Sequence, residues 1–286
     1  MERGSYVYYR HRLPVRIMHW INVVALTILL MSGLMIFNAH PRLYWGQSSY
    51  TGRAPFFEIT AKETPNGYVG VTRILGYEFN TDGVLGVSKD SDGMRHRAAF
   101  PSAITIPGSY WLSMARDWHF FFAWVLVING VAYVLYALFS RHLGRDLLPS
   151  SQDWRGFGQS IKDHIRFRHP RGEAETRYNV LQKLAYLAVI FILLPLIILM
   201  GWAMSPWLDG VLPGWVGVFG GRQTARSIHF IVAWLLVAFV IVHVFEVLIS
   251  GAWNQIRSMI TGRYRVHGEA TAAVGAQRTG GEGVSR

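Results

Sequence analysis

Long apolar blocks, separated by polar segments, dominate the pattern of this chain. Four blocks are long enough, as helices, to cross about 30 Å of hydrocarbon, and they occupy residues 17–37, 118–139, 184–204 and 228–249. None carries the broad polar stripe of a soluble amphipathic helix. The pattern predicts an all-α integral membrane protein, a bundle of four transmembrane helices. Pro195 lies inside the third block and is expected to kink it.

The polar segments predict what lies outside the membrane. Residues 40–116 form a long loop between helices 1 and 2, rich in turn sequences such as TPNG at 64–67. Short β-like runs lie between these turns, so we expect a small folded cap or hairpin there. Residues 1–266 would form one membrane domain. The remainder, 267–286, is rich in Gly, Ala and Thr and is expected to be disordered.

Basic residues collect beside the apolar blocks and predict an orientation. Four arginines precede the first block, nine Lys or Arg lie in residues 140–183, and only Arg222 and Arg226 lie between the last two blocks. The positive-inside rule then places both termini in the cytoplasm and residues 40–116 outside. The net charge of +11 is explained by these juxtamembrane arginines. Because no basic run is interleaved with aromatic residues, the sequence does not indicate nucleic-acid binding.

The residue inventory restricts the chemistry. The chain has no cysteine, which excludes disulfides, iron–sulfur clusters and a covalently attached c-type haem. Any redox centre must therefore be held by histidine or methionine. Four histidines lie in the predicted spans, while the others, His40 among them, fall in polar segments and are expected to face solvent.

The four intramembrane histidines are His19, His119, His229 and His243. Fourteen residues separate the last two, a rotation of roughly 1400° and a rise of about 21 Å in a helix, so they share nearly one face. In the predicted orientation, His119 and His229 lie at the outer level and His19 and His243 at the inner level. A single such histidine is as well explained by a hydrogen bond to a backbone carbonyl. Two level pairs, however, match two b-type haems in a four-helix bundle, since each iron takes one imidazole from either side.

Two further positions follow from the same fourteen-residue offset. Gly33, fourteen residues after His19, would leave room for a macrocycle at the outer level, although glycine also serves helix contacts. Tyr133, fourteen residues after His119, would contact the inner haem.

Other polar residues near these levels are candidates for binding roles. Four arginines could pair with haem propionates, because guanidinium matches a carboxylate, or could simply mark the membrane interface; they are Arg16, Arg116, Arg222 and Arg226. Asn22 and Glu246, close to the inner histidines, are candidates for a quinone site. Glu246 could instead extend to the interface or pair with Arg257.

Several motifs resemble a known family. They are RIMHW at 16–20, HFFFA at 119–123 and the His229–His243 spacing, together with QKLAY at 182–186 and FGGRQ at 219–223. The first three are similar to the cytochrome b subunits of formate dehydrogenase, nickel–iron hydrogenase and thiosulfate reductase. The last two and the long outer loop look most like the thiosulfate reductase branch. Residues 41–108 have no counterpart in the formate dehydrogenase type.

The resemblance covers residues 9–265 and implies a function. It implies a multi-pass di-haem cytochrome b of a bacterial inner membrane, which exchanges electrons between the quinone pool and a peripheral oxidoreductase. A molybdopterin-dependent enzyme outside the membrane is one candidate for that partner. In related subunits, the residues matching His19 and His243 bind the inner haem, and those matching His119 and His229 bind the outer one. Two alternatives remain open: a haem-free proton channel or transporter, and a stand-alone haem b reductase of ferric iron or oxygen.

Overall fold

The structure, a computed structural model, describes residues 5–49, 52–89, 93–108, 110–166 and 179–267 of the 286-residue chain. The predicted disordered tail, apart from His267, lies outside the described residues.

Among the described residues, four helical segments are long and apolar enough to cross a membrane: Leu13–Asn38 (α1), Leu112–Phe139 (α2), Val180–Ala203 and Arg222–Ile249 (α9). The four predicted spans are therefore confirmed. Each helix begins four to six residues before its predicted start. The apolar pattern marks only the part inside hydrocarbon, and the helical backbone continues through the polar residues at the membrane interface.

The remaining helical segments complete the third span and the connections. The third span consists of Val180–Ala188 (α5), a π-helical turn at Val189–Leu193 and Leu194–Ala203 (α6). The others are Ser151–Arg155 (α3), Phe157–Ile165 (α4), Pro206–Val211 (α7), Trp215–Val218 (α8), Ala252–Thr261 (α10), a 3-10 turn at Ser102–Ile104 and a π turn at Leu143–Leu147.

The irregularity expected in the third span takes the form of that π turn. Pro195 lies in the first turn of α6, directly after Val189–Leu193. Proline has no N–H to bond to the carbonyl four residues earlier, and its ring crowds that carbonyl. A wider turn before the proline relieves the crowding while keeping the segment helical.

Residues outside the spans also form strands, at Ser5–Tyr9 (β1), Arg42–Leu43 (β2), Phe57–Thr64 (β3), Gly67–Ile74 (β4), Tyr77–Asn80 (β5), Gly86–Lys89 (β6), Arg95–Ala98 (β7) and Arg263–His267 (β8). Strands β2 to β7 lie between α1 and α2, and we call residues 39–111 the cap. The cap holds a four-stranded antiparallel sheet in the order β2-β3-β4-β5 and a separate β6–β7 pair. The predicted hairpin is the β3–β4 pair.

Two glycines bring the two parts of the cap into close contact. A Cβ atom on Gly70 would lie 2.0 Å from the carbonyl oxygen of Leu85, and one on Gly86 would lie 2.3 Å from that of Thr60. No side chain fits at either place. The absence of side chains therefore lets the start of β6 approach the β3–β4 hairpin at backbone distance.

The chain divides into two compact units. The first combines residues 1–16, 137–187 and 242–286, and the second combines residues 17–136 and 188–241. In the first unit, β1 pairs antiparallel with β8, a ladder that the sequence did not predict because its strands are short and far apart along the chain. Nearby, Arg10 Nη1 donates to Gln255 Oε1 at 3.2 Å.

The second unit has a core that joins helix ends to the cap. Its buried members are Leu34, Phe37, Leu43, Ile59, Ala99 and Phe100. Phe230 of α9 packs against this cluster and stacks on Phe37, with ring centroids 4.6 Å apart. The end of α1 and the N-terminal half of α9 are thus held together by the cap.

Candidate haem-binding site

Two of the four intramembrane histidines face each other inside the second unit. The rings of His119, from α2, and His229, from α9, have centroids 6.2 Å apart and planes inclined at 59°. Because imidazole–metal bonds are about 2 Å long, two imidazoles on opposite sides of one metal ion have centroids about 6 Å apart. The pair therefore has the separation of two axial ligands of a single iron.

Hydrogen bonds at Nδ1 determine which ring nitrogen can bind a metal. His229 Nδ1 lies 2.9 Å from the carbonyl oxygen of Ile197. A carbonyl only accepts, so Nδ1 carries the proton and the lone pair is on Nε2.

His119 is held in the same tautomer by a hydroxyl group. Its Nδ1 lies 3.1 Å from Ser32 Oγ, and Ser32 Oγ donates its one proton to the carbonyl of Ile28 at 2.6 Å. The serine oxygen is then the acceptor, and His119 also keeps its lone pair on Nε2. Second-shell bonds of this kind orient metal-ligating histidines. Ser32 and Ile197 were not among the predicted residues, since neither a serine nor a main-chain carbonyl has a signature in one sequence.

A glycine lies against each of these imidazoles. A Cβ atom on Gly33 would lie 3.3 Å from His119 Cε1, and one on Gly201 would lie 3.6 Å from His229 Cε1. The structure thus places Gly33 beside the imidazole at the level predicted for it. Gly201 was missed because it lies on a different helix from His229, so no helical spacing relates the two residues.

The residues present fit a bis-imidazole haem better than an ordinary metal site. Among the described residues, no group of three or more His, Cys, Asp or Glu side chains could hold a metal ion. Two facing imidazoles with basic Nε2 atoms are instead what an iron needs when a porphyrin fills its other four positions.

Contacts between α1 and α2 establish the register of the two helices. Asn129 Nδ2, on α2, donates to Asn22 Oδ1 at 2.7 Å and to the carbonyl of Met18 at 2.9 Å. This contact lies ten residues from the Ser32–His119 contact on each helix, as an antiparallel pair requires. By the same register, Tyr133 falls nearly level with His19.

The other two histidines lie in different units and are described separately. His19, in the second unit, is half-buried. Its ring meets that of Trp20 edge-on, with centroids 5.4 Å apart. His243, in the first unit, is also half-buried on α9. Their pairing stays a prediction. So does the quinone role of Glu246, whose backbone carbonyl accepts a hydrogen bond from Ser250 Oγ.

The four candidate arginines differ in their surroundings. Arg222 has a carboxylate partner, Asp209 Oδ2, at 3.4 Å. Arg116 is exposed on α2 with its guanidinium 5.6 Å from the ring centroid of Phe120. The first unit contains Arg16, whose Nη1 donates to the carbonyl of Ile260.

Arg226 forms part of a cluster next to the His119–His229 pair. Its Nη2 donates to the carbonyl of His40, and its guanidinium lies 5.6 Å from the centroid of Phe37. His40 was expected to face solvent, but its Nε2 atom is buried and has no hydrogen-bond partner among the described residues. Burial lowers the pKa of His40, and the positive charges of Arg226 and Arg42 lower it further. His40 therefore prefers its neutral form in this cluster.

Comparison with known proteins agrees with this geometry. The family model for prokaryotic cytochrome b561 matches residues 10–262. A putative protein-methionine-sulfoxide reductase subunit of Azospira oryzae is 29% identical over 238 residues, covering 83% of this chain and 89% of that protein. A probable Ni/Fe-hydrogenase B-type cytochrome subunit of Cupriavidus necator is 22% identical over 274 residues, covering 91% and 86% of the respective chains. No solved structure matches the chain.

Proposed function

Because the chain belongs to the prokaryotic cytochrome b561 family, and is therefore a membrane haem protein of electron transport, we propose that it carries two haems b and links the quinone pool to a partner oxidoreductase. Family membership argues against the haem-free channel or transporter, because members of this family bind haem. The partner performs the substrate chemistry in this proposal, and the chain itself only conducts electrons.

The observation that carries the proposal is the His119–His229 pair. Its 6.2 Å separation and the hydrogen bonds at both Nδ1 atoms support one bis-histidine haem. His243 lies fourteen residues further along α9 and supports a second haem about 21 Å away, completed by His19. Haem supplies a one-electron Fe(III)/Fe(II) couple when bound, with a potential that depends on its axial ligands and surroundings.

Other residues have supporting roles in the proposal. Arg226 is the best of the four candidates for a propionate, since it lies one turn from His229 and its guanidinium contacts a carbonyl and an aromatic ring. Arg222 is the weakest because Asp209 already supplies a carboxylate. Asn22 and Glu246 are proposed to bind the quinone near the inner haem, with Tyr133 at the same level.

Location and partner follow from charge and similarity. We propose a bacterial inner membrane, with both termini cytoplasmic and the cap outside, on the distribution of Lys and Arg. The partner would dock on the cap side. The relative from Azospira oryzae is a subunit of a putative protein-methionine-sulfoxide reductase. This supports a terminal reductase as partner, and a molybdopterin-dependent enzyme remains our candidate from the resemblance to thiosulfate reductase.

Reduction by quinol tests the proposal directly. The purified protein in lipid nanodiscs would be oxidised and mixed anaerobically with a short-chain menaquinol or ubiquinol, while haem b absorbance is followed. We expect quinol to reduce a large share of the haem that dithionite can reduce. Asn22→Ala and Glu246→Gln should slow the quinol reaction and leave dithionite reduction unchanged.

The quinone link would be contradicted if dithionite reduces the haem but neither menaquinol nor ubiquinol does. That result would favour the stand-alone haem b reductase, which takes its electrons from another donor. Equal quinol rates in wild type and in both variants would instead remove Asn22 and Glu246 from the quinone site and leave the function standing.

A further inference from the structure

The cap has an exposed apolar surface at the turn between β4 and β5. Leu75 and Tyr77 are 72% and 74% exposed, and Ile74 and Trp45 are each 41% exposed. Phe56 links them, because it stacks on Trp45 with centroids 4.7 Å apart and its carbonyl accepts a hydrogen bond from Leu75 N at 2.7 Å. We call Trp45, Ile74, Leu75 and Tyr77 the apolar turn patch.

The cap sheet brings this patch close to the ends of the transmembrane helices. Ile74 pairs in register with Phe57 on β3. The Phe57 ring lies 6.4 Å from that of Phe37, in the last turn of α1, and 5.4 Å from that of Phe230, close to where the apolar part of α9 begins. This end of the sheet therefore lies at the height where two membrane spans reach the interface.

Trp45 is held at the same height by a separate set of bonds. The neighbouring residue, Gly46, donates its N–H to Thr224 Oγ1 at 2.7 Å and accepts from Gln223 N at 3.0 Å. Thr224 and Gln223 belong to the first turn of α9. Both sides of the apolar turn patch are thus attached to helices that cross the membrane.

The backbone of the turn gives an independent indication. Leu75 and Gly76 form a two-residue turn, with φ angles of 51° and 87°. Positive φ at both positions is the type I′ pattern, for which Asn-Gly is preferred. Leucine in the left-handed region is strained by its Cβ atom. Strain of this kind at an exposed leucine points to a function for the side chain outside the fold.

The turn at the opposite end of β4 is polar. Strands β3 and β4 are joined there by Pro65 and Asn66, with Glu63 and Lys62 on the approaching strand. Thr64, the last residue before this turn, lies seven residues after Phe57 on β3, which is about 23 Å in an extended strand. Of the two turns that flank β4, the one near the helix ends is thus apolar, and the far one is polar.

We propose that the apolar turn patch inserts into the lipid leaflet on the cap side and anchors the cap to the membrane surface. Tryptophan and tyrosine favour the interface between headgroups and hydrocarbon, and leucine gains free energy by leaving water. Phe56 and Phe57 pack against the core cluster around Phe37 and so connect the patch to the ends of α1 and α9. A docking site for a protein partner would not need to lie at the height of the helix ends.

Spin labelling of the full chain tests this proposal, since the sequence has no cysteine to remove. Single cysteines would be introduced as Leu75→Cys, Tyr77→Cys and, as the matched control in the turn at the other end of β4, Asn66→Cys. Each protein, in nanodiscs of equal parts phosphatidylethanolamine and phosphatidylglycerol, carries a nitroxide. The ratio of collisions with oxygen to collisions with a water-soluble nickel chelate then reports lipid exposure. We expect severalfold higher ratios at positions 75 and 77 than at 66.

A further variant separates membrane insertion from folding. Leu75→Asn suits a left-handed turn better than leucine, so the cap should stay folded, while the label at position 77 should lose lipid contact. Equal ratios at positions 66, 75 and 77 would overturn the proposal. So would labels at 75 and 77 that are water-exposed in nanodiscs and become shielded only when a protein partner is bound.

Discussion

At the scale of single residues, the site depends on groups that control two imidazoles. Ser32 and the carbonyl of Ile197 fix the Nδ1 protons, and Gly33 and Gly201 leave space on the same side of each ring. Each of these groups positions an imidazole ring and does not itself take part in electron transfer. Small changes at these positions should therefore alter the orientation of an imidazole before they abolish binding.

A graded series of Gly→Ala changes tests this control. Gly33→Ala places a Cβ atom 3.3 Å from His119 Cε1, closer than most real contacts, so the ring must shift by a few tenths of an ångström. Gly201→Ala creates an ordinary contact at 3.6 Å. The electron paramagnetic resonance g values of a ferric bis-histidine haem depend on the angle between its imidazole planes. We expect a clear shift of one haem signal for Gly33→Ala and a smaller one for Gly201→Ala.

Gly130→Ala is the control for this series. Gly130 also lies in a transmembrane helix, but a Cβ atom there meets nothing within 4 Å. Both haem signals should stay unchanged, and helix propensity alone should stabilise the protein by up to about 1 kcal/mol. A larger spectral change for Gly130→Ala than for Gly33→Ala would contradict the assigned contact.

At the scale of elements, the length and continuity of the apolar blocks predicted the four spans and their order but not their ends. Turn sequences such as TPNG predicted the hairpin in the cap. The β1–β8 ladder and the crossing of β6 over Gly70 could not be predicted, since both depend on residues that are far apart or have no side chain. For the site, fourteen-residue spacing identified the histidines, whereas Ser32 and Gly201 required coordinates.

One buried amide joins α1 and α2 in addition to the Ser32–His119 contact. Asn129 is 6% exposed, and its two hydrogen bonds reach Asn22 and Met18 on the other helix. Asn129→Leu keeps the volume and removes both bonds, each worth about 0.6 kcal/mol on average inside a membrane. We expect a loss of about 1 kcal/mol in the free energy of unfolding, measured by denaturation in mixed detergent.

Thr27→Val is the matched control for Asn129→Leu. Thr27 Oγ1 bonds only within its own helix, to the carbonyl of Val23, and is exposed. Its replacement by a residue of similar shape should leave stability nearly unchanged. Equal losses for the two variants would show that the amide does not couple α1 to α2.

At the scale of the whole molecule, α9 is the element that both proposed haems share. His229 and His243 lie fourteen residues apart on this helix, and the proposal completes the two pairs with His119 of α2 and His19 of α1. Electrons crossing the bilayer would then pass along one continuous helix. A channel would need polar groups along its path, whereas the membrane-spanning part of α9 between its two histidines is apolar.

The number of haems b per chain is measured by the pyridine haemochrome method on purified protein. We predict two haems in the wild type and one in His119→Ala, with the remaining haem still low-spin because His19 and His243 are untouched. His243→Ala should likewise keep one haem, held by His119 and His229. A wild type with one haem or none, or two haems retained after loss of His119, would contradict the assignment of two bis-histidine haems.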